Sequence, residues 1–466
     1  MKKTISVAGI VLKLFFRSGA AWGLIALTIL LSVFMFFATN SDNLLVNELH
    51  LRIKYSLYAF TVLLNIALIY FACVTLRKDI DERRFHTIAA APVHRAQIWL
   101  GKFFGLLSLA FIVFLSASAA IALSCLFFIL HWEKKDDLSA LKSDFFRTYY
   151  VCNPDLTSFE NEVNAKYAKE RKILELNQAA SKKNEHHVHS NSHEHDHGDL
   201  EGEIWKSRKY LLDQIKKEKQ IIAPGSNGKW TFNWDSSAVK GNYVLLRFKF
   251  YSNRRRSKVQ GEWRVKGKKG WRYKFSGYPF LTHELKIPVE VFKGAEKIEL
   301  IYTPKSSSYV IFPVYKGGIT LLYDSGGLIK NYLFLLIFSL FHMSVLLAVS
   351  LMFSSLFSYS VAIFISTSTY IIGAFSVFFQ NVQRDLSFHD PTFMNTVFSK
   401  TIAFGMWVTE GTKAFPVNNM FSDGISLPFV SLMKTGGFNL ILYLIIVSSI
   451  GIFALTKKEI DKILQR

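Results

Sequence analysis

Four uninterrupted apolar runs, at about residues 19–39, 55–76, 103–130 and 328–353, constrain this chain more than any other feature. Each is long enough to cross a hydrocarbon core, which takes roughly 20 helical residues. Two further runs follow at about 359–380 and 438–456, so the sequence predicts a polytopic α-helical membrane protein with six spans. The chain is 50% hydrophobic with 42 Phe, yet 20% of its residues are charged, and that mixture implies a sizeable polar domain joined to the spans.

Lys2, Lys3, Lys13 and Arg17 precede the first run as they would in a secretory signal. The run is too long for one, and "FMFFATNSDN" supplies no small-x-small cleavage pattern, so it reads as an uncleaved anchor. Orientation follows from the short loops. The N-terminus, residues 77–102 (Arg77, Lys78, Arg83, Arg84, Arg95, Lys102) and the terminal "KKEIDKILQR" are basic, which places all three on the cytoplasmic side and residues 131–327 on the far side. That long segment is basic too, with 35 Lys and Arg against 24 Asp and Glu, but long translocated domains largely escape the rule. The net charge of +21 is therefore no sign of a nucleic-acid partner. Cys73 and Cys125 fall in spans and Cys152 stands alone outside, so no disulfide framework is expected.

Residues 131–327 divide by composition. Residues 131–228 contain an expected helical hairpin over about 157–219, in which Phe159, Val163 and Tyr167 recur every four residues and Ile204, Leu211, Leu212 and Ile215 recur more loosely. Its tip, "NEHHVHSNSHEHDHGD", carries His186, His187, His189, His193, His195 and His197. Neutral imidazoles in such number could hold zinc, copper or nickel, but the spacing is irregular, no Cys is near, and a solvated linker explains the tract equally. From 229 to 327 the period changes: "YVLLRFKFY", "GEWRVKG", "WRYKFSG", "HELKIPVEV" and "KIELIYTP" alternate, are rich in aromatic and β-branched residues, and are separated by turn formers. An antiparallel β-sandwich, jelly-roll-like, is the expectation. Beyond the fifth run, "TIAFGMWV" is too short to span, so about 396–425 should hold a re-entrant or interfacial segment.

The stretch "DIDERRFHTIAAAPVHRAQIWLGK", between the second and third runs, is poorly suited to lipid because charge there is costly. Composition leaves two readings open: an element that docks on a soluble partner, or a solvated connector. "DIDERRFHTIAAAPVHRAQIWLGKFFG" resembles the loop between the second and third spans of type-2 ATP-binding-cassette exporter permeases, in particular the nitrous-oxide-reductase accessory permease branch. The matching positions are Glu82, Arg83, Pro92, Val93, Arg95, Leu100, Gly101 and Lys102. "LAVSLMFSSLFSYSVAIFISTSTY", at 347–370, is similar to the family's turn between spans four and five, and "FALTKKEI" to its exit from the last span. The sequence departs from the family at Arg84, where Thr is common, and at Ala89, Ala90 and Ala91, where Leu is common.

The resemblance implies a coupling helix at about 79–95 seated in a cleft of a separate cytoplasmic ATPase, which would bind the ATP and Mg. Asp79, Glu82, Arg83, Arg84, His86, Pro92 and Arg95 are then the coupling residues. Asp79 and Asp81 suit a helix N-terminus, Pro92 can stop the helix, and Arg95 and Lys102 would reach the headgroups. The implied assembly also contains a second permease copy or a related permease, lies in the bacterial inner membrane with both termini cytoplasmic, and engages cargo or an envelope partner through 131–327. No G-x-x-x-x-G-K-[ST] occurs, so the chain lacks the usual phosphate cradle, and no Ser/His/Asp set suggests an enzyme.

Arg254, Arg255, Arg256, Lys266, Lys268 and Lys269 interleave with Trp263 and Trp271; outside a membrane such a patch would meet anionic lipid headgroups or acidic glycans, and the alternative is a solvated strand face over core aromatics. Asn65, His342 and Gln380 lie in or near spans, where polar groups mark pathways or bond helix to helix. His283 and Glu284 lack the second His of a zinc-protease motif. Two rival functions share much of this pattern: a mechanotransmitting envelope assembly factor without transported cargo, and a metal-responsive membrane sensor.

Overall fold

The computed structural model describes residues 2–39, 45–81, 94–131, 147–172 except 158 and 171, 214–234 except 219, 241–253, 257–266, 271–292, 296–313, 318–386, 393–408, 417–433 except 428, and 437–464. The chain forms two compact units, one of Met1–Thr148 with Gly326–Arg466 and one of Tyr149–Ser325.

The first unit is helical: α1 (Lys2–Arg17), α2 (Ala20–Ala38), α3 (Leu45–Asp81), α4 (Arg95–Leu130), α5 (Leu328–Leu356), α6 (Tyr359–Ala374), α7 (Ser376–Leu386), α8 (Phe393–Val408), α9 (Val417–Ser422), α10 (Phe429–Leu432) and α11 (Phe438–Leu464). Among the described residues, five stretches are long and apolar enough to cross a membrane: Ala20–Ala38, Glu48–Asp79, Arg95–Leu130, Leu328–Leu356 and Phe438–Lys457. The protein is thus membrane-integral. The run expected at 359–380 is broken, because the helix stops after Ala374, Phe375 adopts φ −95° and ψ 19°, and α7 starts afresh. At about 1.5 Å per residue, the 16 residues of α6 fall short of a core of roughly 30 Å. "TIAFGMWV" is the second half of α8.

Helix α1 packs on α4 through two glycines. A Cβ on Gly101 would lie 2.6 Å from the Val7 Cβ, and one on Gly105 would lie 2.9 Å from the Val11 Cβ, so the spacing Gly-x-x-x-Gly is what lets the backbones approach. Edge-on rings such as Phe60 and Phe114, with centroids 5.3 Å apart, and buried Leu64, Leu68, Leu106 and Leu109 fill the space between α3 and α4. Near the start of α3, Arg52 is buried. Its guanidinium bonds Glu48 at 2.5 Å, donates to the Phe36 carbonyl near the end of α2 at 2.7 Å, and lies 4.3 Å from the Phe128 ring centroid. Asn331 of α5 clasps the 417–427 segment, donating to the Ile425 carbonyl at 2.9 Å and accepting from the Leu427 N–H at 2.7 Å.

The second unit is built on β1 (Arg147–Cys152), β2 (Ile221–Ile222), β3 (Gly228–Asn233), β4 (Tyr243–Lys249), β5 (Tyr251–Ser252), β6 (Val259–Val265), β7 (Arg272–Gly277), β8 (Thr282–Pro288), β9 (Lys297–Pro304), β10 (Val310–Ile311) and β11 (Ile319–Gly327). These make sheets of four, three and four strands in the orders β1-β11-β4-β8, β2-β10-β5 and β3-β9-β6-β7. Pairing is antiparallel throughout β4–β8, β6–β7, β6–β9, β3–β9, β4–β11 and both pairs of the small sheet. Strict alternation drives this: in β9, Ile298, Leu300 and Tyr302 point inward between outward neighbours. One core draws on all three sheets, with Trp263 at its centre, 5.0 Å from both the Phe248 and Tyr302 ring centroids. Gly261 is required there, since a Cβ would lie 2.2 Å from the Tyr302 hydroxyl oxygen.

Residues 147–152 and 221–222, grouped by the sequence with the helical region 131–228, are strands joined to the same sheets. Within that region the described helices run over 159–170 and 214–218; Val163 and Ile215 are buried, and Lys166 bonds Glu218 at 2.6 Å. The His-bearing tip, His186 to His197, lies outside the described residues.

Candidate functional site

The expected coupling loop hangs between the end of α3 and the start of α4. Glu82, Arg83, Arg84, His86 and Pro92 lie outside the described residues, but both attachment points are defined. Asp79 does not begin a helix, as the sequence suggested; it sits in the last turn of α3, which continues to Asp81. A carboxylate there meets the negative end of the helix dipole and needs a cation. Lys102 supplies it. Its side chain is only 3% exposed, and its ammonium donates to Asp79 Oδ2 at 2.5 Å and to the Thr75 carbonyl at 2.6 Å. Lys102 is therefore an internal clamp rather than a side chain reaching for headgroups, because a buried ammonium is stable only when paired and hydrogen-bonded.

Arginines extend the clamp to the other long helices. Arg95, first residue of α4, donates to the Thr456 carbonyl of α11 at 2.9 Å, and Arg77 donates to the Phe357 carbonyl at the end of α5 at 3.2 Å. The Phe357 carbonyl stands at the end of α5, where carbonyls lack intrahelical partners and a cation docks naturally, whereas the Thr456 carbonyl lies inside α11, well before its end at Leu464. The His94 N–H, just before α4, donates to Gln97 Oε1 at 3.3 Å and fixes the entry of the chain. Both ends of the loop are thus tied to α3, α4, α5 and α11.

A polar seam runs deeper in the same unit, where α3, α5 and α6 meet. Ser354 Oγ donates to the Cys73 carbonyl at 3.1 Å, and Ile69, Leu346 and Tyr370 form a small cluster one turn away. One further turn back, Asn65 Nδ2 donates to the Tyr370 hydroxyl at 3.4 Å, the helix-to-helix bond expected of a lone amide. The register puts His342 at this level. It is buried, and among the described residues neither of its ring nitrogens has a hydrogen-bond partner; the Asn65 carbonyl oxygen and the Thr61 hydroxyl are in the same condition. Gln380, by contrast, is exposed on α7.

The remaining candidates separate. Lys266 is ion-paired to Glu299 at 2.8 Å, while Arg254, Arg255, Arg256, Lys268 and Lys269 lie outside the described residues. Trp263 is core and Trp271 is packed against it. Glu284 pairs with Arg247 at 2.7 Å, and His283 bonds the Tyr278 carbonyl at 2.8 Å; burial among Phe248, Phe250 and Phe275 pushes its pKa down. Among the described residues no group of three or more His, Cys, Asp and Glu could hold a metal ion. The clamp itself was legible only in part: Lys102 stood in the matched motif, but its partner could not be read, because Asp79 and Lys102 are 23 positions apart on different helices. Compared with models of protein families, with curated proteins and with solved structures, the chain finds no match.

Proposed function

We propose that this chain is the permease subunit of an ATP-binding-cassette exporter of the bacterial inner membrane, driven by an ATPase on a separate polypeptide and completed by a second permease copy or a related one. The observation that carries this reading is the Lys102 clamp. A loop that merely connects two spans has no need of a buried ion pair at its base; a loop that takes a push has, because force on residues 82–93 must move α3 and α4 together. Arg95 and Arg77 would pass the same displacement to α11 and α5. The bundle would then alternate between two exposures of its path, the ATPase biasing one of them.

In this reading α6 and α7 together make the fifth of six spans, broken at Phe375, both termini are cytoplasmic, and residues 131–327 lie outside. The unpartnered polar atoms of His342, Asn65 and Thr61 are what a translocation path offers a passing polar group, and their persistence in an apolar bundle supports the reading. The test is cross-linking in native membranes. Cysteine placed at Glu82 should capture a nucleotide-binding protein in an ATP-dependent manner, whereas cysteine at Asn253 should not. Equal capture from both positions, or none from Glu82, would count against a coupling role.

A further inference from the structure

The small sheet β2-β10-β5 breaks the rule that the solvent face of an antiparallel sheet is polar. Its inward residues, Ile222, Val310 and Ser252, are buried, and its outward residues are Ile221, Ile311 and Tyr251, which the register places side by side in one row. Tyr309, Ser252 and Asn253 complete the lining of an open cavity of about 480 Å³ above that row. The volume lies in the range of small-molecule sites, roughly 300–1,000 Å³.

Two observations show that the groove is built. Phe280 packs edge-on against Tyr251, with centroids 5.2 Å apart, and does so with φ +72°, a left-handed conformation costly for an aromatic residue. Its N–H donates to the Phe250 carbonyl at 2.8 Å, which holds it there. The second observation is charge. Lys249 lies 5.8 Å from the Tyr251 ring centroid, and Lys258 lies 5.5 Å from that of the exposed Tyr278, two residues from Phe280. Neither lysine has a carboxylate partner among the described residues, unlike Arg247, Lys266 and Lys305. Residues 229–327 as a whole carry 19 Lys and Arg against 7 Asp and Glu.

We propose that this groove binds an anionic lipid, its acyl chain lying along the Ile221–Ile311–Tyr251 row and its acidic head facing Lys249 and Lys258. An apolar lining with few donors suits a hydrocarbon chain better than a sugar, and two ammonium groups with no carboxylate partner among the described residues favour an acidic head over a neutral one. The inference is independent of the permease reading, since it concerns residues 149–325 alone.

The experiment uses the full chain in phosphatidylcholine nanodiscs with two photoreactive probes of equal chain length, a lysophosphatidic acid and its uncharged monoacylglycerol counterpart. The acidic probe should label saturably, with adducts on peptides containing residues 221, 251 or 309, and more strongly than the neutral one. Ile221→Thr with Tyr309→Ser should lower labelling roughly tenfold. Because these side chains are 41% and 51% exposed, thermal unfolding of the variant should be unchanged, which separates lost binding from lost fold. Lys249→Gln with Lys258→Gln should lower labelling by the acidic probe roughly fivefold or more and leave the neutral probe unaffected. Adducts elsewhere, labelling unchanged in the apolar variant, or equal labelling by both probes would overturn the proposal. So would probe-free cross-linking of residue 251 to a second copy of the chain that the same variants abolish, since the row would then be a self-interface.

Discussion

Lys102 illustrates how much one side chain can decide. Its ammonium is isolated from solvent and held by a carboxylate and a carbonyl, so removing it strands Asp79 at the end of a helix. Lys102→Met should lower the stability of the membrane unit by about 3 kcal/mol, read as a fall in thermal midpoint in detergent, and adding Asp79→Asn should recover most of the loss. His342 should behave oppositely. A buried imidazole with no hydrogen-bond partner among the described residues costs stability, so His342→Leu should raise the midpoint and, if the proposed permease role holds, depress ATP hydrolysis by the complex; a fall in both would make the residue structural. His283 gives a pH prediction in the β unit. Burial lowers its folded pKa below the ordinary imidazole value near 6.5, so the unfolded chain binds the extra proton first, and stability is lost as pH falls below about 6.5. His283→Phe should flatten that acid limb of the unfolding midpoint, followed by Trp263 fluorescence.

At the scale of elements, the glycine pair on α4 sets the seat of α1. Gly105→Leu should separate the two helices, exposing Val11 and lowering the thermal midpoint, whereas Gly9→Leu, whose Cβ would meet nothing within 4 Å, should not. The small-residue spacing is present in the sequence as "GKFFG", but its partners Val7 and Val11 are more than 90 positions away on another helix, and nothing local pairs the two. The strands β6 and β9 were legible because inward and outward residues alternate strictly, and β4, β7 and β8 because short runs rich in aromatic and β-branched residues stand between turn formers, although Val244, Leu245 and Leu246 of β4 are buried in succession. Strand β1, "RTYYVC", was not: two successive buried residues, Thr148 and Tyr149, break the period of two. The end of α3 was misread for a physical reason as well. By residue type Asp79 and Asp81 suit the start of a new helix, but α3 runs on to Asp81, and Arg77 and Asp79 find partners on α5 and α4. Nothing local marks the break at Phe375 beyond Gly373 two residues before it.

For the whole molecule, the structure joins an apolar helical unit to a basic β unit, and the two carry separate chemistry. In the helical unit Arg52 and Lys102 are buried in ion pairs; in the β unit Arg247, Lys266 and Lys305 pair with carboxylates, while Lys249 and Lys258 lie over the rings of Tyr251 and Tyr278. Lys102, Arg77 and Arg95 tie both ends of the loop to the long helices, and the proposed contact with an ATPase falls on Glu82 to Pro92, outside the described residues. The most direct measurement is ATP hydrolysis by the complex purified from its native host in mild detergent, for the wild type and for Glu82→Arg. The account predicts that a nucleotide-hydrolysing subunit accompanies the wild-type chain and that the variant loses it or uncouples its activity. A wild-type chain that purifies without any ATPase, or a variant whose complex hydrolyses ATP and responds to the permease as the wild type does, would contradict the coupling role of the loop.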